Sequence, residues 1–125
     1  MRLYSTKNPS KYFSLKEAVL KGLPDDNGLF MPKKLTFLPK EFIEHLPEKT
    51  FCEIGFEVCK HLMGNAIPEN ELMDIVENAL TFPAPVVKLA DGIFVLELFH
   101  GPSLAFKDFG ARFMAQLMSY FNRGV

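Results

Sequence analysis

The residue with the most chemical potential in this sequence is a lysine set among small and apolar neighbours. Read as a helix, residues 104–123 place Asp108, Arg112, Gln116, Ser119 and Arg123 at spacings of four, four, three and four, a single polar stripe. Lys107 lies about 100° round from Asp108, because each helical residue advances by that angle. Its helical neighbours are Gly110, Ala111, Met114 and Ala115. An ammonium buried on that side is either desolvated at a cost or deprotonated, its pKa falling through burial. The first helical turn adds orphan N–H groups and a positive dipole end, which disfavour a cation and attract an anion. A neutral amine beside a phosphate-bearing ligand suits such a place, with Gly110 and Ala105 leaving room for a flat ring. The competing reading is a lysine that lays its stem along the helix and carries its charge out to water. Periodicity alone leaves both readings standing.

Other reactive side chains carry weaker signals. Glu97 is a lone carboxylate among Ile93, Phe94, Val95, Leu96 and Leu98, so it either faces a site from a strand end or is paired with a base. His100, in the loop before the helix, is placed to approach a substrate or to hydrogen-bond within the loop. Asp108 either orients a cofactor or pairs with Arg112 one turn on. His45 and His61 are remote from any motif, and Glu53 and Glu57, four apart, read as a solvated helix face. Cys52 and Cys59 on one helix would stand about 10.5 Å apart, seven residues at ~1.5 Å each. That is too far for a disulfide or for two ligands of one zinc. With Phe56 and Met63 they form the stripe of an amphipathic helix packed on a core.

The elements that must position these residues follow from their punctuation. A short strand is expected at Arg2–Ser5, then a turn around Asn8 and Pro9. Ser14 with Glu17 is a capping-box pattern that opens a helix closed by Gly22. Residues 24–32 (PDDNGLFMP) read as a turn and a short extended piece. Pro39 opens a helix through Leu46 that Pro47 ends. Thr50 with Glu53 is a second capping box, for a helix to Met63 that stops at Gly64 and Asn65. Pro68 starts another through Leu80, with Glu69 and Glu71 favourably placed for its dipole. The first 80 residues are thus expected to be mostly helical. Two prolines in Phe82–Pro85 mark a stiff connector. Val86–Leu89 and Ile93–Leu98 then flank Asp91-Gly92, a strong hairpin signal. The last helix runs from about Leu104 to Phe121, with Ser103 as N-cap. Gly124 is expected to terminate it, and Val125 to begin a strand. A strand and helix with no returning strand are half of a βαβ crossover, so the sequence reads as the N-terminal portion of something longer.

Charge and length exclude other classes. At 125 residues there is material for one ordinary domain. Fourteen basic and fifteen acidic residues are scattered without a basic run, which leaves no electrostatic footprint for nucleic acid. The N-terminus lacks the basic start and apolar stretch of a signal peptide, and no apolar segment approaches the roughly 20 residues that span a bilayer. A cytoplasmic protein without membrane or nucleic-acid partners is expected.

The nineteen residues from Leu96 to Met114 (LELFHGPSLAFKDFGARFM) resemble the lysine motif of microbial threonine synthases, enzymes of the tryptophan-synthase-β type that use pyridoxal 5'-phosphate (PLP). Met1–Ser5 (MRLYS) is similar to that family's opening, Gly28–Pro32 (GLFMP) to its early turn and Phe82–Pro85 (FPAP) to its domain junction. The resemblance covers essentially the whole chain. It implies an α/β fold in which a helix-rich N-terminal domain, residues 1–81, is followed at 82–125 by the first strands and helix of a PLP-dependent catalytic domain, truncated. It implies Lys107 as the Schiff-base lysine, Phe106 and Asp108 beside the cofactor, and Ser103 and His100 toward substrate. Ser103 stands where many members have threonine, which keeps the hydroxyl. The implied reaction converts O-phospho-L-homoserine and water to L-threonine and phosphate. A threonine-synthase-like phospho-lyase on the same substrate and a non-catalytic helical module are the alternatives. The family's phosphate-cupping loop and the group facing the pyridine nitrogen fall on later segments, so the chain alone is expected to bind PLP weakly or only nonspecifically, to be inactive, and to self-associate through exposed apolar surface on residues 93–121.

Overall fold

A computed structural model describes residues 1–123. The chain opens with an antiparallel sheet of β1 (Arg2–Ser5), β2 (Asn8–Ser14) and β3 (Phe30–Pro32), in the order β2-β1-β3. Leu3 of β1 lies opposite Phe13 and Pro32, Tyr4 opposite Tyr12 and Met31. Period-two alternation turns Leu3 and Ser5 inward. The turn expected at Asn8-Pro9 sits instead at Thr6-Lys7, and Pro9 belongs to β2. β2 is an edge strand, where a missing N–H removes no ladder bond.

Helix α1 (Leu15–Lys21) starts from the expected capping box: the Glu17 N–H donates to Ser14 Oγ, and the Ser14 N–H to the Glu17 carboxylate at 2.7 Å. The chain leaves it at Gly22, whose φ of 75° favours glycine. Helix α2 (Lys40–Glu44) ends two residues earlier than expected, and Pro47 lies inside a following 3₁₀ turn, Leu46–Glu48. Proline's fixed φ suits the first turn of such a segment, so here it begins a turn as well as ending a helix. The second capping box, Thr50 with Glu53, opens α3 (Phe51–Met63), on which Cys52, Phe56 and Cys59 pack half-buried against the core. Burial pushes the Cys59 thiol up to about 11, as expected of an inert packing cysteine.

Helix α4 (Glu69–Ala79) buries Leu72, Ile75, Val76 and Ala79, the i, i+3, i+4, i+7 face of an amphipathic helix. Past the Phe82–Pro85 connector, β4 (Val86–Ala90) and β5 (Ile93–Leu96) pair antiparallel about the Asp91-Gly92 turn. Both strands are exposed along their whole length. The last helix, α5 (Lys107–Phe121), places Leu117 and Phe121 in one core with Leu3, Leu15, Val19 and the face of α4. The break in composition at residue 82 therefore divides the chain but not the core. The expectations for Gly124 and Val125 lie outside the described residues. No described helix is long and apolar enough to cross a membrane.

Leu72 is 1% exposed at the centre of this core. Leu72→Ala should lower the unfolding free energy by about 2–5 kcal/mol, read as a lower urea midpoint at unchanged slope. A loss below about 0.5 kcal/mol, ordinary for a surface site, would contradict the packing.

Candidate active site

Residues 97–106 form an irregular strap between β5 and α5, and it is tied down at both ends. At its start the Glu97 N–H donates to the Pro85 carbonyl at 2.9 Å. The Glu97 carboxylate meets His100 Nε2 at 2.7 Å, and the Phe99 ring stacks on the imidazole at 4.7 Å. Of the two readings of Glu97, pairing with a base is the one realised, and the base is His100.

At its end the strap closes on Asp108. The Ser103 N–H donates to Asp108 Oδ2 at 2.7 Å and the Ser103 hydroxyl to Oδ1 at 2.5 Å, so one residue occupies both carboxylate oxygens. Asp108 is buried. The Ser103 hydroxyl is the main cause holding its carboxyl below the ordinary value; partial desolvation opposes this, and the Ser103 N–H and the Lys107 charge reinforce it. Gly101 completes the arrangement. A Cβ there would sit 2.5 Å from Asp108 Oδ2 and 2.8 Å from the Phe82 ring, so only glycine permits the approach. The sequence carried a sign of this in Gly101-Pro102, although nothing there names Asp108 as the partner.

Three expectations are corrected by this geometry. Helix α5 starts at Lys107 rather than Leu104, and its N-cap position is held by Phe106 without a side-chain bond. Ser103 is not a cap because its hydroxyl is spent on Asp108, and Leu104, at φ 55°, is outside the helical region altogether. Asp108 does not pair with Arg112. The Arg112 guanidinium instead donates to the carbonyls of Asn78 at 3.0 Å and Ala79 at 3.3 Å, closing the C-terminus of α4, where a cation is favoured. Finally, Lys107 is not on a buried side. It is exposed, as are Gly110, Ala111, Met114 and Ala115, while the supposed polar stripe begins with the buried Asp108. The reason is that the first half of α5 is anchored by Asp108 and by Phe109, whose ring contacts Phe82 at 4.6 Å and Phe51 at 6.1 Å. These anchors turn the Lys107 side away from the packed elements.

What remains open is a lysine at the first residue of a helix, with the exposed Phe106 beside it and a glycine one turn on where an added Cβ meets nothing within 4 Å. An apolar cleft of about 460 Å³ runs along Phe109, Gly110 and Phe113 and is lined as well by Leu96 and Leu98. The family model described as Threonine synthase N terminus matches residues 2–80. The chain belongs to this family.

Membership extends in likeness past the matched region. Threonine synthase of Serratia marcescens is 42% identical over 119 residues, 95% of this chain and 28% of that protein. The enzyme of the same name from Haemophilus influenzae is 43% identical over the same shares. Among solved structures, threonine synthase from Escherichia coli superposes with a TM-score of 0.92 at 38% identity over 97% of this chain and 28% of that one. A PLP-bound threonine synthase from Brucella melitensis gives 0.89 at 34% identity, over 97% and 27%. The helix-rich α/β fold expected from the lysine motif is thus the fold of this family, and the chain spans little more than a quarter of the length of the relatives it matches.

Because the folded carboxyl of Asp108 is depressed, its contribution is present above the unfolded carboxylate value, about pH 4, and disappears as pH falls through the lower folded value. The stability gap between the native chain and Asp108→Asn should therefore be full at neutral pH and close below pH ~4. Thermal melts across that range would show it, and a gap independent of pH would refute the hydrogen-bonded carboxylate.

Proposed function

We propose that this chain supplies the lysine-bearing portion of a PLP-dependent threonine synthase, in which Lys107 holds the cofactor's aldehyde carbon. The observation that carries the reading is the placement of Lys107: the first residue of α5, exposed, with unobstructed space at Gly110, within a nineteen-residue stretch that matches the family's lysine motif. The PLP bound in the Brucella melitensis relative supports the choice of cofactor. The exposed Phe106 flanks the lysine on the cofactor side, Asp108 follows it with its buried carboxylate held by Ser103, and Ser103 and His100 lie on the strap that would meet substrate. Residues 1–81 form the N-terminal part and 82–125 the start of the catalytic domain, in a cytoplasmic enzyme.

The reaction is the conversion of O-phospho-L-homoserine and water to L-threonine and phosphate. PLP, when bound, supplies the sink for the electrons released at the substrate's α carbon. Lys107 does the proton work: once displaced by the substrate's amino group, its neutral amine takes and returns protons at the α and β carbons. Phosphate leaves from the γ carbon and water adds at the β carbon. The strap keeps the amine in register with this chemistry, since Lys107 follows directly on a segment held at Gly101, Ser103 and Asp108.

Borohydride reduction of a full-length holoenzyme carrying this segment, followed by peptide mapping, should place the pyridoxyl group on Lys107. In a full-length enzyme carrying this segment, Lys107→Ala and Lys107→Arg should each lower kcat by roughly 10²–10⁴-fold, since guanidinium cannot be deprotonated at working pH. Specific labelling of any other lysine would sink the assignment.

A further inference from the structure

Ser103 has two possible uses. Its position four residues before Lys107, with Leu104, Ala105 and Phe106 between them, is that of an N-cap for a helix starting one turn early. The structure takes the other option. Ser103 gives both its N–H and its hydroxyl to Asp108, Leu104 turns to φ 55°, and tight turns run from Gly101 to Leu104 and from Ala105 to Asp108 before α5 begins at Lys107. A left-handed leucine is an uncommon state that persists only where surrounding contacts over-determine it. Here those contacts are the two bonds to Asp108 and the approach of Gly101, tight enough that a Cβ would lie 2.5 Å from the carboxylate.

From this geometry we infer that Asp108 is a positioning residue for Lys107: by drawing Ser103 onto its carboxylate it stops α5 from starting at Leu104, and so holds Lys107 as the first helical residue, facing the open side. Three further residues of helix would move the helix start, with its orphan N–H groups and positive dipole end, about 4.5 Å away from Lys107. They would also redirect the strap that carries His100. Asp108 does this through the backbone rather than by pairing with the lysine, because both of its oxygens already accept from Ser103. Arg112 does not compete for it, its guanidinium being bonded to the end of α4. The functional weight of the inference rests on the reading of Lys107 given above, but its structural content does not.

The experiment has two readouts. Backbone NMR of the isotope-labelled chain reports whether Leu104 and Ala105 have helical Cα shifts, and PLP with borohydride, as a probe on a full-length enzyme carrying this segment, reports the share of pyridoxyl label on Lys107 against the other lysines. Asp108→Asn, which frees Ser103 to cap, should shift Leu104 and Ala105 to helical values and cut the preference for Lys107 by up to about a hundredfold, the scale of misplacing a reacting group by about an ångström. Ser103→Thr keeps the hydroxyl and should behave as the native chain in both readouts. Ser103→Ala should lose the native shifts at Leu104 and part of the preference. If Asp108→Asn does not fold, the Ser103 pair decides, and identical behaviour of Ser103→Thr and Ser103→Ala overturns the proposal. Unchanged shifts in a folded Asp108→Asn overturn it as well. A native chain labelled at another lysine defeats the Lys107 assignment, while the shifts still judge the role of Asp108.

Discussion

The bonds from Ser103 to Asp108 are the constraint on which the rest of the site depends. Two donors from one residue satisfy one buried carboxylate, and a glycine, Gly101, allows the backbone to close over it. A carboxylate left buried without those donors would be costly to keep charged, so the strap, the start of α5 and the charge state of Asp108 form one cooperative unit. Phe82 ties this unit to the fold, touching the Gly101 position, the Phe109 ring and the Arg112 guanidinium. Through Arg112 the unit reaches the end of α4, and through α4 the centre of the core.

A related serine–aspartate clasp occurs elsewhere, here on an exposed carboxylate that takes donors from two residues on one oxygen. In the turn before β3, the buried Ser5 donates to Asp26 at 2.7 Å, the Gly28 N–H donates to the same carboxylate oxygen, and a Cβ on Gly28 would fall 2.3 Å from Ser5 Oγ. The Ser5 bond is the leading cause that lowers the Asp26 carboxyl. One clasp fixes the entry to the N-terminal sheet and the other the entry to the lysine-bearing helix. Both let the chain cross a region without regular hydrogen bonding while its buried polar groups stay satisfied.

Much of this was legible in the residues alone because its signals are local. Ser14 with Glu17, Thr50 with Glu53, and Asp91-Gly92 act over three or four residues, and each appears where expected. The face of α4 follows from its own periodicity. What failed to show depends on partners distant in sequence or on a choice between two local options. Strand β2 exists because β1 pairs with it, and its proline and polar residues argue for a turn until that partner is known. Ser103 looks like a cap from its neighbours, and only the three-dimensional return of Asp108 reassigns it. Burial around Lys107 was misjudged for a related reason: small and apolar neighbours signal a covered face, whereas within the described residues that face of α5 is open.

Leu3 near the beginning of the chain and Leu117 and Phe121 near its end lie in one cluster. A nascent chain emerging from the ribosome therefore has its capped helices and its N-terminal sheet ready long before the surface that completes their core has been made. Contacts that join such distant positions carry a large loop-closure cost and are formed late. Until α5 arrives, the inner faces of β1, α1 and α4 lack that part of their cover, the kind of transiently exposed apolar surface that makes folding intermediates prone to associate. The helix that bears the lysine thus also covers the core shared by the N-terminal sheet and helices, so placing Lys107 and completing that core are one event.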